Sequence, residues 1–196
     1  LRMFNDGDTP LTVSFKRLPA FLEAMPVPSS IQPKTEGIVV FTYNTLKKNE
    51  YGPTFDAFFM HTNDSIRSDK RISVSPNILE DFSGLTAEDR ANAPKIEFSH
   101  EIFDFKKVKS GEKISHVFDF RNTGKSELII RKTKASCGCT ATHPEKTIIK
   151  PGESSKIEII FNTYGREGKQ RKTITVVCND PEQPETILSI FANIIK

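Results

Sequence analysis

The chain has 196 residues, 36% of them hydrophobic and 27% charged, with 15 Phe and no Trp. That is enough apolar material for packed cores and excludes global disorder, and no run nears the roughly 18 apolar residues of a membrane helix. The +3 charge is uneven: residues 1–93 carry 10 Lys+Arg against 12 Asp+Glu, and residues 94–196 carry 18 against 13, a mild basicity that usually only solvates a surface and gives no expectation of nucleic-acid binding.

The opening LRMFNDGDTPLTV is not a signal peptide, because Asn5, Asp6 and Asp8 interrupt any apolar region. Alternating strands interrupted by turns are expected through residues 4–13, 32–45 and 59–78. Residues 79–95 follow as a short structured linker, where Thr86-Ala-Glu-Asp89 forms a helix N-cap with acid in the first turn and Pro94 ends the helix. Six further strands are expected around 95–105, 113–121, 127–134, 154–161, 171–178 and 186–194. Turn signals at Asn122-Thr-Gly124, Lys150-Pro-Gly152, Gly165/Gly168 and Asn179-Asp-Pro181 separate them.

The two halves resemble each other. RNTGKSELII at 121–130 matches FNDGDTPLTV at 4–13, KPGESSKIEIIFNT at 150–163 matches QPKTEGIVVFTYNT at 32–45, and VVCNDPEQPETILSIFANI matches FMHTNDSIRSDKRISVSPNI. The offsets of 117, 118 and 116 keep one order, the mark of a tandem duplication. Many short strands in a unit of about 100 residues indicate an antiparallel sandwich. The expected fold is therefore all-β, two tandem immunoglobulin-like antiparallel β-sandwiches: an incomplete repeat at 1–78, a linker at 79–93 and a complete repeat at 94–196. The first repeat begins at the end of its second strand, so an upstream continuation or a covering partner is expected for that sheet edge. Asn122, Asn162 and Asn179 recur as Asn5, Asn44 and Asn63, where a carboxamide bonded to the backbone closes a strand-end turn.

IFDFKKVKSGEKISHVFDFRNTGKSELIIRKTKASCGCT and IIKPGESSKIEIIFNTYGREGKQRKTITVVCNDP resemble the bacterial domain-of-unknown-function-1573 family, with its Ser-Cys-Gly-Cys-Thr signature. That family is similar to the wider group of major-sperm-protein-like and ASH-type immunoglobulin-like modules. The likeness covers residues 94–196, through Ser136-Cys-Gly-Cys-Thr140, Pro151-Gly152 and Asn179-Asp-Pro181. The first copy diverges, with Ala20 to Leu22 where Cys-Gly-Cys would fall. Family members often show Asp-Phe-Gly where this chain has Asp104-Phe105-Lys106, read as a departure at a turn. The resemblance implies a multi-repeat exported protein in the periplasm or at the cell surface, and no reaction.

Three cysteines allow at most one disulfide. Cys137 and Cys139, with His143 four residues on, could supply three soft ligands for zinc or copper(I), or a vicinal dithiol. They could equally close a strand as small apolar residues around a Gly-permitted turn. Cys178 should face the start of the strand near Leu128, on the order of 30 Å from Cys137, too far for a disulfide, and be a buried inert thiol. His61, His100, His116 and His143 are scattered and fit no nucleophile or metal signature. Gly165-Arg-Glu-Gly-Lys169 lacks phosphate-loop spacing and is expected as a turn, with Arg166, Lys169, Arg171 and Lys172 as a basic cluster for an acidic partner or glycan.

With no catalytic constellation and no cofactor motif, the expectation is a non-enzymatic binding or assembly module. Its partner would be a protein or glycan, and self-association through the incomplete first repeat is a further route. A thiol-dependent metal or redox activity at Cys137, Cys139 and His143 is the competing expectation.

Overall fold

The structure, a computed structural model, describes residues 1–136, 139–141, 144 and 146–196. The chain divides into two units, Leu1–Ile78 and Leu79–Lys196. No helix among the described residues is long and apolar enough to cross a membrane.

Period-two alternation builds the first unit from β1 (Arg2–Phe4), β2 (Leu11–Lys16), β3 (Leu22–Val27), β4 (Ser30–Ile31), β5 (Glu36–Tyr43), α1 (Thr45–Lys48), β6 (Gly52–Pro53), β7 (Asp56–Thr62), β8 (Asp69–Val74) and β9 (Asn77–Ile78). One sheet has the order β1-β5-β3, a second β4-β2-β7-β8, and β6 pairs with β9. Leu22, Ile31, Val39, Phe58 and Met60 are buried. Phe41 sits 5.7 Å from Phe15 and 5.5 Å from Phe58, centroid to centroid, within the range of favourable aromatic pairs. At the edge of this core Lys48 Nζ lies 2.8 Å from Asp56 Oδ1, and Tyr43 Oη donates to Asp56 Oδ2. Burial alone would raise the Asp56 carboxyl; the bonds from Lys48 and Tyr43 outweigh it and hold it below the usual range.

The second unit opens with α2 (Ala87–Ala91), whose N-cap Thr86 and Asp89 exchange the two bonds of a capping box. It continues through β10 (Ile96–Phe98), β11 (Ile102–Lys109), β12 (Lys113–Asn122), β13 (Leu128–Ala135), β14 (Cys139–Ala141), β15 (Ile148–Ile149), β16 (Ser154–Asn162), β17 (Gly168–Cys178) and β18 (Glu185–Ile195). Two sheets, β10-β12-β16-β14 and β11-β18-β17-β13-β15, face each other across a core that includes Phe118, Phe120, Leu128, Ile157, Phe161, Ile174 and Ile190. The architecture is an all-β, immunoglobulin-like sandwich.

The single strand expected around 95–105 is in fact two. β10 pairs antiparallel with β12, and after residues 99–101 the chain crosses to the other sheet, where β11 pairs parallel with β18. The cause is that both sheets have an open edge there, and one strand can supply backbone partners to each only by switching.

One end of this sandwich is held by buried side chains. Asn122 is fully buried; its Nδ2 donates to the carbonyls of Ser126 and Ile149, and its Oδ1 accepts from the amide of Gly124. Asn179 likewise takes the amide of Ile129 and donates to the carbonyl of Glu127. The same bonds recur in the first unit: Asn5 Nδ2 to Thr9 and Ile31, Gly7 to Asn5 Oδ1, Thr12 to Asn63 Oδ1, and Asn63 Nδ2 to Pro10. Gly124 sits so close to the chain that a Cβ would lie 2.4 Å from the carbonyl oxygen of Ala93 and the amide of Lys95. Replacing Asn122 with Ala strands two buried carbonyls and an amide, so Asn122→Ala should cost about 3 kcal/mol; urea titration of the full chain would show a lower midpoint for the second unit.

Candidate functional site

Several cations of the second unit gather beside a half-buried aromatic ring, Phe191. On β11, Asp104 pairs with Phe191 of β18 and Lys107 with Asn193, so three residues of β11 span two of β18. The extra residue makes a β-bulge, and Lys106 takes the left-handed conformation at φ 61°. The bulge keeps Phe103, Phe105 and Val108 turned to the core and leaves Lys106 and Lys107 exposed. It is also where Asp104-Phe105-Lys106 lies, within a strand rather than at the expected turn.

β17 completes the surface. Arg171 pairs with Phe191 and Lys169 with Asn193, which gives two rows across three strands: Asp104–Phe191–Arg171 and Lys107–Asn193–Lys169. All of these residues except Arg171 line an open groove of about 420 Å³, together with Lys106 and Gln170; Arg171 stands beside it, next to Phe191. The Arg171 guanidinium lies 5.7 Å from the Phe191 ring centroid, and its Nη2 donates to Ser189 Oγ, an orientation in which the cation is attracted to the ring face. Asp104, the one acid lining the groove, takes the ammonium of Lys106 at 2.9 Å. Its carboxyl is held below the usual range by the Lys106 side-chain and backbone bonds. Lys107 and Lys169 have no ion-pair partner among the described residues, so the groove carries surplus positive charge beside a half-buried aromatic ring.

The four basic residues expected as one cluster do not form one. The turn is confined to residues 163–167, and Lys169, Arg171 and Lys172 all lie in β17. Strand alternation sends Lys169 and Arg171 to the outer face and Lys172 to the other, where its Nζ lies 5.2 Å from the Phe161 ring centroid. Arg166 stays in the turn, beside Ser110 and Glu167 in a separate shallow depression. Of the four, only Lys169 lines the groove, joined by Lys106 and Lys107 on β11, while Arg171 stands beside it next to Phe191.

Of the Cys-Gly-Cys residues and His143, Cys137, Gly138 and His143 lie outside the described residues. Cys139 is a free thiol in β14 opposite Phe161, half-buried and packed on the core. Burial pushes its pKa up, and the charges of Lys172 and Arg166 offset this in part. Cys178 is free, buried and opposite Ile130, and its thiol donates to the Gln183 carbonyl. Burial pushes it to about 12. Among the described residues, no three His, Cys, Asp or Glu side chains gather as metal ligands.

Two histidines expected to stand apart are in contact. His100, in the crossover between β10 and β11, and His116 of β12 lie Nε2 to Nε2 at 2.7 Å, so one ring donates and the other accepts through an unprotonated nitrogen. Phe103 stacks on His116 at 3.7 Å between centroids, 9° from parallel, and Phe118 meets it edge-on. Burial first, then the nearby His100, lowers the His116 pKa, against a smaller opposing pull from Asp119. A separation of 16 residues carries no local signal; only the switch between sheets brings the rings together.

The family model for DUF1573, a protein of unknown function, matches residues 96–194. The chain belongs to the DUF1573 family. A protein of unknown function from Porphyromonas gingivalis W83 is similar at 21% identity and a TM-score of 0.70, over 97% of this chain and 87% of that one; the likeness is one of fold. The ASH / PapD-like domain 7 of human CEP192 matches at 11% identity and a TM-score of 0.43, over 62% of this chain and 97% of that one. A GH5 xyloglucanase from Bacteroides ovatus matches at 15% identity and a TM-score of 0.36, over 52% of this chain and 19% of that one. No curated protein matches the sequence significantly.

The groove, the histidine pair and Cys178 all lie within the stretch matched by the DUF1573 model. The lowered pKa of His116 leads to an expected sensitivity to mild acid. His116 is lowered in the folded state, so the unfolded chain takes up its proton first as pH falls through about 6.5. The stability His116 contributes is complete above that pH and is lost below it, toward the depressed folded value. The thermal midpoint of wild type should fall between pH 7 and 5.5, and His116→Phe should flatten that decline in calorimetric scans. The thiols give a second expectation. At pH 8 iodoacetamide should leave Cys178 unlabelled and label Cys139 slowly in the native state, while both react fully in urea, as peptide mass mapping would show.

Proposed function

We propose that the protein is a non-catalytic binding or assembly module of the bacterial cell envelope, and that its groove takes the anionic part of a protein or glycan partner. The observation that carries this reading is the pair of cross-strand rows, in which unpaired Lys107 and Lys169 flank Asn193 and Arg171 lies over Phe191. A carboxylate or sulfate could be met there by ammonium groups and the Asn193 and Gln170 amides, while the ring covers an apolar or sugar face. The strain at Lys106 supports the same reading. A left-handed lysine stands where the family resemblance leads to an expectation of glycine, and costs about 1 kcal/mol. Strained residues of this kind collect at functional sites. We further take the two units to be copies of one ancestral repeat, a reading supported by carboxamide bonds that recur at offsets of 117 and 116 residues.

The test is calorimetric titration of the 196-residue chain with two probes, oligogalacturonate and an oligoglutamate peptide, at low and high salt. Saturable, salt-sensitive binding to one of them is expected, and Lys169→Glu with Arg171→Glu should weaken it at least tenfold, while Lys113→Glu on another face leaves it within twofold. Equal binding by the groove and control variants would overturn the assignment of the groove. Lys106→Gly should separate stability from binding, raising the unfolding free energy by about 1 kcal/mol and weakening the probe through the lost cation. The envelope placement would fail if fractionation of the native host found the protein only in the cytoplasm.

A further inference from the structure

In the first unit the sheet β1-β5-β3 has an outer face unlike its counterpart in the second. Along β5, Ile38 and Val40 point outward, at 41% and 42% exposure. Ile38 pairs with Arg2 of β1 and Val27 of β3, Val40 pairs with Met25, and Phe4 pairs with Glu36. Phe4, Val27 and Met25 are 55%, 44% and 60% exposed. These five side chains are cross-strand or diagonal neighbours and together show ~400 Å² of apolar surface, in the range of patches that mark interaction sites.

The fold itself does not require that surface. In the second unit β12 and β16 occupy the places of β1 and β5, with Asn122 bonded as Asn5 is. There Asp119 pairs with Lys156 and Arg121 with Ser154. Positions held by Arg2, Phe4, Ile38 and Val40 in the first unit are thus Asp119, Arg121, Lys156 and Glu158 in the second. One unit tolerates charge on this face; the other has exchanged it for apolar side chains.

We infer that this face binds the same face of a second copy of the chain, through Phe4, Val27, Met25, Ile38 and Val40 packed about a two-fold axis. The charges on the face indicate this occupant. Of the three charges on the face, Glu36 lies beside Phe4 at one end of the patch, Arg2 lies at the β1 side and Glu23 at the opposite end of β3; all are exposed, and none makes an ion pair among the described residues. A two-fold axis lying between Arg2 and Glu23 in the plane of contact sets Arg2 of each copy against Glu23 of the other, and an isologous interface must be self-complementary in this way. The apolar centre is about half of the ~800 Å² per partner of a standard interface; the polar rim supplies the rest, which makes a reversible dimer. The inference is independent of the groove, which lies in the other unit.

Sedimentation velocity of the full chain tests it, with dimerisation expected at a Kd on the order of 10 µM. Ile38→Lys with Val40→Glu, the residues at the matching positions of the second unit, should weaken association at least tenfold with an unchanged thermal midpoint. Arg2→Glu alone should also weaken it, and Arg2→Glu combined with Glu23→Arg should restore it. A wild type that stays monomeric to several hundred micromolar would overturn the inference. So would association unaffected by Ile38→Lys and Val40→Glu, which would place it at a sheet edge or elsewhere. Failure of the charge exchange to restore a lost dimer would overturn the two-fold pairing, and with it the second copy as occupant.

Discussion

A buried carboxamide has two N–H donors and an oxygen to satisfy, and Asn122 satisfies them with backbone groups. In doing so it joins the end of β12 to the turn that follows and to the carbonyl of Ile149 before the next strand. Asn179 performs the matching task at the end of β17, fastening β13 to it through Ile129 and Glu127. Asp180 adds a bond from the Ile96 amide to a buried carboxylate oxygen. These bonds fix where the strands of both sheets begin, and therefore which residues of β17 and β18 stand opposite one another. An unsatisfied buried group costs as much as several surface contacts return, so register at this end is strongly determined.

The groove lies toward the other end of the same strands. Lys169 and Arg171 are near the start of β17, on the order of 30 Å from Asn179 at about 3.3 Å per residue. What shapes the surface there is the bulge in β11. By inserting one residue it turns Phe105 and Val108 to the core in succession and leaves two lysines outside. Beneath it, Phe103 and Phe105 meet at 4.9 Å between centroids, and Phe103 carries the His116 ring. The bulged strand therefore couples two properties of the domain: a cationic outer surface and a core edge that resists protonation. A change at Lys106 alters the first through charge and the second only through backbone relaxation.

Much of this was legible in the residues. Alternation located four strands of the second unit to within a residue or two, as at 113–121 against the observed Lys113–Asn122, but put the start of β17 three residues late and did not find β14 or β15. The capping box at Thr86 and the strand-end asparagines could be read because their bonds are local and their chemistry has few alternatives. Three features were not read, for different reasons. The strand at 95–105 was read as one run, although its apolar phase shifts from Ile96 and Phe98 to Phe103 and Phe105 across Ser99-His100-Glu101, the local trace of its switch between sheets. The bulge depends on counting residues of β11 against those of β18, far apart in sequence. The His100–His116 contact follows from the switch and was hidden with it. The basic cluster is another case: the two-residue period of a strand already separates Lys172 from Lys169 and Arg171, and treating the segment as a turn concealed that.

The two units agree where side chains face backbone and differ where they face solvent. Asn5 and Asn122, Asn63 and Asn179 make the same bonds; removing Asn5 or Asn122 would leave a buried carbonyl unpaired, and Asn63 and Asn179 close their turns nearer the surface. Outer faces carry no such obligation. A strand residue pointing to water contributes roughly as well to the sheet as Lys or as Ile, within about 1 kcal/mol, so folding alone leaves the choice open. Against that freedom, the first unit presents Phe4, Val27, Ile38, Val40 and Met25 on one contiguous face, although an apolar side chain in water gains nothing there. The second unit leaves Lys107 and Lys169 without ion-pair partners among the described residues near Phe191, where neutral side chains would serve the strand as well. Each departure has a small cost or none for its own unit and confers a distinct surface chemistry. The two units can thus differ in the chemistry of their outer faces, because the side-chain-to-backbone bonds that define each frame do not depend on what those faces carry.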